Sequence, residues 1–240
     1  MTALVDVMVP DVRTALVAGG IALVVGAIAA ATVARLRAGG MRVAYTRKLF
    51  HFAIFTAAAL VHGAWGLPGT VVFGTVIAAI VLLAVVRGDG HPLYEAMARE
   101  SDQPHRTLFI LIPLATTAVG GLASALLTGP FASVGYLAAG WGDAIGEPVG
   151  ARWGRHRYTV PSLAGVPATR SWEGSAAVFV VASIASGLAL GSIGGVPWWG
   201  GVVCGFAAAV VEGVSNHGLD NLTVQLIPSL VALMLFGGFA

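Results

Sequence analysis

The chain has 240 residues, of which 57% are hydrophobic and only 10% charged, and its net charge is +2. An ordinary soluble domain carries about 25% charged residues, so too little polar surface exists to cover a globule of this size and the composition indicates an integral membrane protein. The small net charge, with basic residues dispersed between apolar runs, excludes a nucleic-acid partner, and the single Cys204 excludes an intrachain disulfide and a cysteine zinc set.

In chain order, the N-terminus does not read as a cleaved signal peptide. Asp6 and Asp11 precede the first apolar run, and that run is long enough to span. A spanning helix needs roughly 17–25 mostly apolar residues. Runs of this kind occupy about 14–34, 49–66, 68–87, 106–127, 130–150, 173–193, 196–213 and 221–239. The second is short. None alternates polar and apolar residues as a barrel strand does. The expected fold is therefore an all-α polytopic bundle of about seven or eight transmembrane helices, forming a single transmembrane domain over residues 1–240. Its many glycines fall mostly inside the spans, where small residues let helices approach closely.

The loops orient this bundle. Arg35, Arg37, Arg42, Arg47 and Lys48 follow the first span. Arg87, Arg99 and Arg106 flank the loop at 88–105, and Arg152, Arg155, Arg157 and Arg170 lie in the loop at 151–172. With eight spans, all three loops share one side, and only Arg13 of the thirteen Lys and Arg falls opposite. The basic side is expected to be cytoplasmic, which points to the plasma membrane.

The carboxylates gather on that same side. Asp89, Glu95, Glu100 and Asp102 lie in a hydrophilic loop and read as plain solvated charges. Asp143 and Glu147, in "GWGDAIGEPVG", end the fifth span four residues apart. Residues so spaced share a helix face, and like charges there repel. They need a shared proton or a cation, and Mg²⁺ is held by one or two carboxylates plus substrate phosphates. A plainer alternative pairs them with Arg152 or Arg155. Pro148 disfavours helix at Glu147 and is expected to kink or end it there. Gly142, Gly146, Gly150 and Gly154 form an adjoining small face suited to helix packing.

The loop that follows supplies anion-binding groups. In "SWEGS", Ser171 can cap a helix whose first amides are free donors at the positive end of its dipole. With Arg170 beside it, this is an anion site. Carboxylates for a cation and Arg plus amides for an anion, all within about 140–175, point to a metal-bound nucleotide phosphate. No P-loop, dinucleotide fingerprint or serine-nucleophile motif is present. In "TRKLFHF", Arg47 and His51 sit one helical turn apart beside Lys48, where residue types alone favour a lipid-headgroup anchor. Glu212 ends the seventh span without a local partner, and Asp220 or Asn221 can cap the last helix.

Three of these segments, "TRKLFHF", "GDAIGEPVGARWG…TRSWEGS" and "GLDNLTVQLIPSL", resemble the polyprenol kinase family of membrane proteins. That family includes phytol kinases, dolichol kinases and CTP-dependent diacylglycerol kinases, and it is distantly similar to CDP-diacylglycerol synthases. Order and spacing agree from about residue 46 to residue 232. The family has an Asp, glycines at four-residue spacing, then Lys-Ser or Lys-Thr, any residue, Glu-Gly. Asp143, Gly150, Gly154, Ser171, Glu173, Gly174 and Ser175 match, and Arg170 replaces the usual Lys.

The resemblance implies transfer of the γ-phosphate of CTP to a membrane isoprenoid alcohol on the cytoplasmic face. Asp143 and Glu147 are then expected to hold Mg²⁺. Arg155, Arg170, Ser171, Gly174 and Ser175 are expected around the nucleotide, with Gly150, Gly154, Arg47, Lys48 and Asn221. Asp143, Glu173, Asp220 and His51 are the expected catalytic groups, with Glu173 or Asp220 taking the alcohol proton. The competing readings are a diacylglycerol kinase, a cytidylyltransferase attacking the α-phosphate, and a cation- or proton-coupled transporter, for which no internal repeat is evident.

Overall fold

A computed structural model describes residues 7–163, 166–194, 197–216 and 218–238, with the side chains of 162–167 left aside. The chain forms two compact units, Met1–Ile110 and Leu111–Ala240.

In the first unit, α1 spans Val12–Ala38 and α2 spans Val43–Arg87. Asp11 caps α1 by accepting from the Thr14 amide at 3.0 Å. α2 breaks at Gly66, whose φ of 58° a side chain would resist, two residues before Pro68. His62 Nδ1 lies 2.9 Å from Thr70 Oγ1, eight residues on. A straight helix separates such residues by about 12 Å, so the chain folds back here. The spans expected at 49–66 and 68–87 are the two arms of this hairpin. Gly26 of α1 lets α2 approach, for a Cβ there would lie 2.9 Å from Ile77 Cδ1.

A polar segment follows, with α3 at Pro92–Met97 and a short 3-10 turn at Glu100–Asp102. Its acids were expected to be plain solvated charges; Asp89 and Glu100 are exposed, whereas Glu95 and Asp102 are not. Arg106 donates to Asp89 at 2.6 Å, to Glu95 at 2.8 Å and to the Ala98 carbonyl at 3.1 Å. Arg37 reaches Glu100 at 3.2 Å, and Asp102 is buried. Burial pushes the Glu95 carboxyl up, but the Gly90 amide and Arg106 together hold it below its ordinary value.

α4, Leu108–Thr128, leads into the second unit. Gly129, at φ 54°, opens a 3-10 turn over Gly129–Phe131, followed by α5, Ala132–Leu137. Tyr136 Oη donates to the Gly121 carbonyl at 2.7 Å, fifteen residues back, which only a second hairpin permits. A π-helical turn, Ala138–Gly142, passes into α6, Asp143–Trp153. α6 runs through Pro148, where the sequence led us to expect a kink or an end. The loop after it holds a feature that an all-α reading omits. Strands β1, Arg157–Leu163, and β2, Val166–Ser171, pair antiparallel with Tyr158 opposite Arg170. Three helices complete the unit: α7 at Trp172–Ile193, α8 at Trp199–Val214 and α9 at Asp220–Phe236.

Glycine governs the packing of this unit. Gly135 of α5 meets α9 so closely that a Cβ would strike the Gln225 carbonyl, and its amide donates to Ser229 Oγ at 3.1 Å. The glycine row running from the π-helical turn into α6 lies on α7: a Cβ on Gly142 would sit 3.3 Å from Ala182 and Val178, and one on Gly146 would strike Val178. Phe131, Val134, Leu190, Cys204, Ala232 and Phe236 fill the core between α5, α7, α8 and α9. Large apolar side chains such as Leu23, Leu60, Leu127, Ile184, Phe206 and Met234 point outward instead. Small residues inside and apolar ones outside suit a lipid solvent. Among the described residues, four helical stretches are long and apolar enough to cross a membrane: Val12–Ala38, Val43–Arg87, Leu108–Trp153 and Trp172–Ile193. Two of these contain the hairpin turns, and α8 and α9 are shorter apolar helices.

Replacing Gly135 by Ala is expected to lower stability by about 1–3 kcal/mol, whereas Gly63→Ala, in open space, leaves it nearly unchanged; denaturant unfolding in detergent checks both. Because the folded Glu95 carboxyl is lowered, its contribution is complete above the unfolded value of about 4.3 and is lost as pH falls through the folded one. Glu95→Gln therefore flattens the pH dependence of melting in acid.

Candidate active site

Four segments of the second unit converge on one polar cluster. The π-helical turn ahead of Asp143 inserts an extra residue and sets the phase of α6. Glu212 lies near the C-terminal end of α8, which closes at Ser215. Gly218, at φ 92°, turns the chain, and Asp220 opens α9. Arg170 arrives on β2. All three carboxylates are buried, and one oxygen of each lies within 4.8 Å of the others.

Arg170 enters this group from the hairpin. One of its terminal nitrogens pairs with Glu212 Oε1. The other donates to Asp220 Oδ2 at 3.1 Å and to the Ser215 carbonyl at 3.4 Å, at the negative end of α8. One guanidinium thus pairs with two of three buried carboxylates. Taking such charges out of water costs several kcal/mol per ion before their mutual attraction is counted. The donor set fits a hard divalent cation. Mg²⁺ takes oxygen at 2.0–2.1 Å in octahedral array, so its ligand atoms lie up to about 4.2 Å apart. At least two of the three oxygen pairs in such an array lie about 2.9 Å apart, so Asp143, Glu212 and Asp220 would close in on a bound ion.

A second polar layer fixes the turn that carries Asp220. Its Oδ1 accepts from the Asn221 amide at 3.0 Å. Asn221 Nδ2 donates to Thr117 Oγ1 at 2.9 Å and to the Pro113 carbonyl at 3.3 Å. Gln225 Nε2 donates to the Thr117 carbonyl at 3.3 Å and to the Asn221 carbonyl. Thr116 Oγ1 donates to the Gly218 carbonyl at 2.6 Å. Asn221, expected at the nucleotide, thus uses its amide group to bind α9 to α4.

The other residues singled out from the sequence lie as follows. Glu147 is one turn beyond Asp143 on α6, half-buried, and outside the three-carboxylate group. Glu173 accepts from His156 at the base of the hairpin, with Oε1 2.7 Å from Nδ1, and is not among the three. Ser171 caps α7 as expected, accepting from the Gly174 amide at 3.1 Å. That bond corrects the expectation of a free amide at Gly174. Gly150 and Gly154 press on Ser171, and Gly174 on Gly146, so the row serves helix packing. Ser175 Oγ lies 2.7 Å from Tyr158 Oη. Arg155 is exposed between α6 and β1.

In the first unit, Arg47, Lys48 and His51 lie early in α2. Lys48 is buried, and His51 stacks on Phe55 with centroids 4.2 Å apart. Sequence reasoning gave Glu212 no partner, and it passed over Thr117 and Gln225 altogether. The lone acid at an apolar helix end was the available signal for Glu212.

The chain is 35% identical over 194 residues to the phytol kinase of Synechocystis sp., covering 78% of this chain and 77% of that protein. No family model and no solved structure matches it.

Asn221→Leu is expected to cost about 1–2 kcal/mol of stability, the range found for polar contacts between helices in membranes. The thermal unfolding midpoint in detergent measures it, and Thr117→Val adds little further loss if the two residues act as one contact.

Proposed function

This chain belongs to the polyprenol kinase family, and from that membership we propose that it transfers the γ-phosphoryl group of CTP to a membrane isoprenoid alcohol of the phytol or polyprenol type. The single observation that carries the reading to named residues is the buried group of Asp143, Glu212 and Asp220, with Arg170 on two of its members. Phosphoryl transfer depends on positioning and charge neutralisation more than on covalent steps. Asp143, Glu212 and Asp220 would hold Mg²⁺ in this reading, with Glu147 one turn further along α6 supporting the site. The ion's chemistry is to draw off charge from the phosphate oxygens.

The chain's own groups do the rest. Arg170 and Arg155 face the phosphates, with Arg170 offering the planar fork that suits them. Ser171 keeps α7 in place, so that its positive end faces the anion. The Glu173–His156 pair braces the hairpin that delivers Arg170. The alcohol comes from the bilayer with its hydroxyl at the interface. It gives its proton to a carboxylate of the cluster late in a loose transition state, so placement matters more than basicity. The Lys and Arg bias of the loops supports a site on the cytoplasmic face of the plasma membrane.

The test is radiolabelled CTP, ATP and GTP supplied to purified protein with phytol, farnesol, a dolichol and diacylglycerol, with and without Mg²⁺. The expected products are a phosphorylated isoprenoid alcohol and CDP. Release of pyrophosphate instead establishes cytidylyl transfer, and phosphorylation confined to diacylglycerol reassigns the acceptor. Asp143→Asn and Glu212→Gln are each expected to lower turnover about 10²–10³-fold, the usual loss when a charge-stabilising group at the reacting centre is removed. Glu147→Gln is expected to cost less. A larger loss at Glu147 than at Glu212 shifts the metal site to the Asp143–Glu147 pair.

A further inference from the structure

The place of Arg170 among the carboxylates has a consequence for the order in which ligands bind. We infer that Arg170 is an internal competitor of the metal ion: its guanidinium holds the ligand oxygens of Glu212 and Asp220 until nucleotide phosphate draws it away. The inference rests on the proposed reading of these carboxylates as metal ligands.

The geometry sets up the competition. Arg170 pairs with Glu212 through one terminal nitrogen and with Asp220 through the other. Both partners belong to the trio whose oxygens lie within 4.8 Å of one another. A divalent ion and a guanidinium compete for the same two carboxylates, and two cations so close repel.

Nucleotide resolves the conflict. Phosphate oxygens offer a guanidinium a bidentate partner as good as a carboxylate. The positive end of α7, beginning at Trp172, lies two residues along the chain from Arg170 and favours phosphate on that side. Once Arg170 turns to the phosphates, Glu212 and Asp220 become available to the ion that the same phosphates bring. Ion and nucleotide then bind with positive coupling, and because linkage is reciprocal each raises the affinity of the other. The free ion leaves the enzyme in its Arg-closed form.

Titration of purified protein in a non-ionic detergent with Mn²⁺ alone, followed by the electron paramagnetic resonance signal of the free ion, tests this without turnover. Wild-type protein is expected to bind Mn²⁺ weakly. Arg170→Gln is expected to bind it about 5- to 150-fold more tightly, the span of ordinary coupling between sites. Arg170→Lys falls between, because an ammonium does not fork across two carboxylates. Should Arg170→Gln not fold, Arg170→Lys decides: tighter binding than wild type supports the inference, and equal binding overturns it. Equal affinity in wild type and both variants, abolished by Asp143→Asn, overturns the competition while leaving the metal site intact. No binding by any form in the millimolar range removes the metal reading and the inference together.

Discussion

The second unit is organised around a group of buried charges. Three buried carboxylates and one guanidinium are held together in a chain that is otherwise apolar. Such a group is not self-stabilising, because the desolvation cost of each charge is only partly returned by its neighbours. The surrounding fold must therefore hold it by force of packing. Glycine contacts between α6 and α7 fix Asp143, and Ser171 fixes the start of α7 beside β2. The layer of Thr116, Thr117, Asn221 and Gln225 ties the turn before α9 to α4. Each device lies within hydrogen-bond or van der Waals reach of a charged residue's own element. Stability stored in packing is what keeps these charges together out of water.

Much of this architecture was legible in the sequence. Gly66 with Pro68 and Gly129 with Pro130 announce the two hairpin turns, since only glycine takes the positive φ that each reversal needs. The apolar runs and the Ser171 cap follow from residue type and local spacing, and the structure bears out the cap. Contacts far apart in sequence left weaker traces. Asp143 and Glu147 share a helix face, which singled them out as a pair. Nothing local told that Glu212 and Asp220 approach Asp143 from other helices, because that depends on how α8 and α9 close on α6. The strand pair around Arg170 was hidden for a similar reason. Two prolines and two glycines in its loop read as turn signals, while the β-branched residues Thr159, Val160, Val166 and Thr169 that favour strand pairing are few.

The hairpin also accounts for the departure from the family motif. The family's motif carries a Lys where this chain has Arg170. A lysine is a compact charge with three rotatable donors, whereas arginine is a rigid planar fork. Here the fork touches Glu212, Asp220 and the Ser215 carbonyl, three partners around one plane. A lysine in the same place can satisfy any of these but does not span them together. The strand that carries Arg170 leads directly into the capped start of α7. One short element thus joins Arg170 to the capped start of α7, so the position of the guanidinium and the position of the helix end are set together.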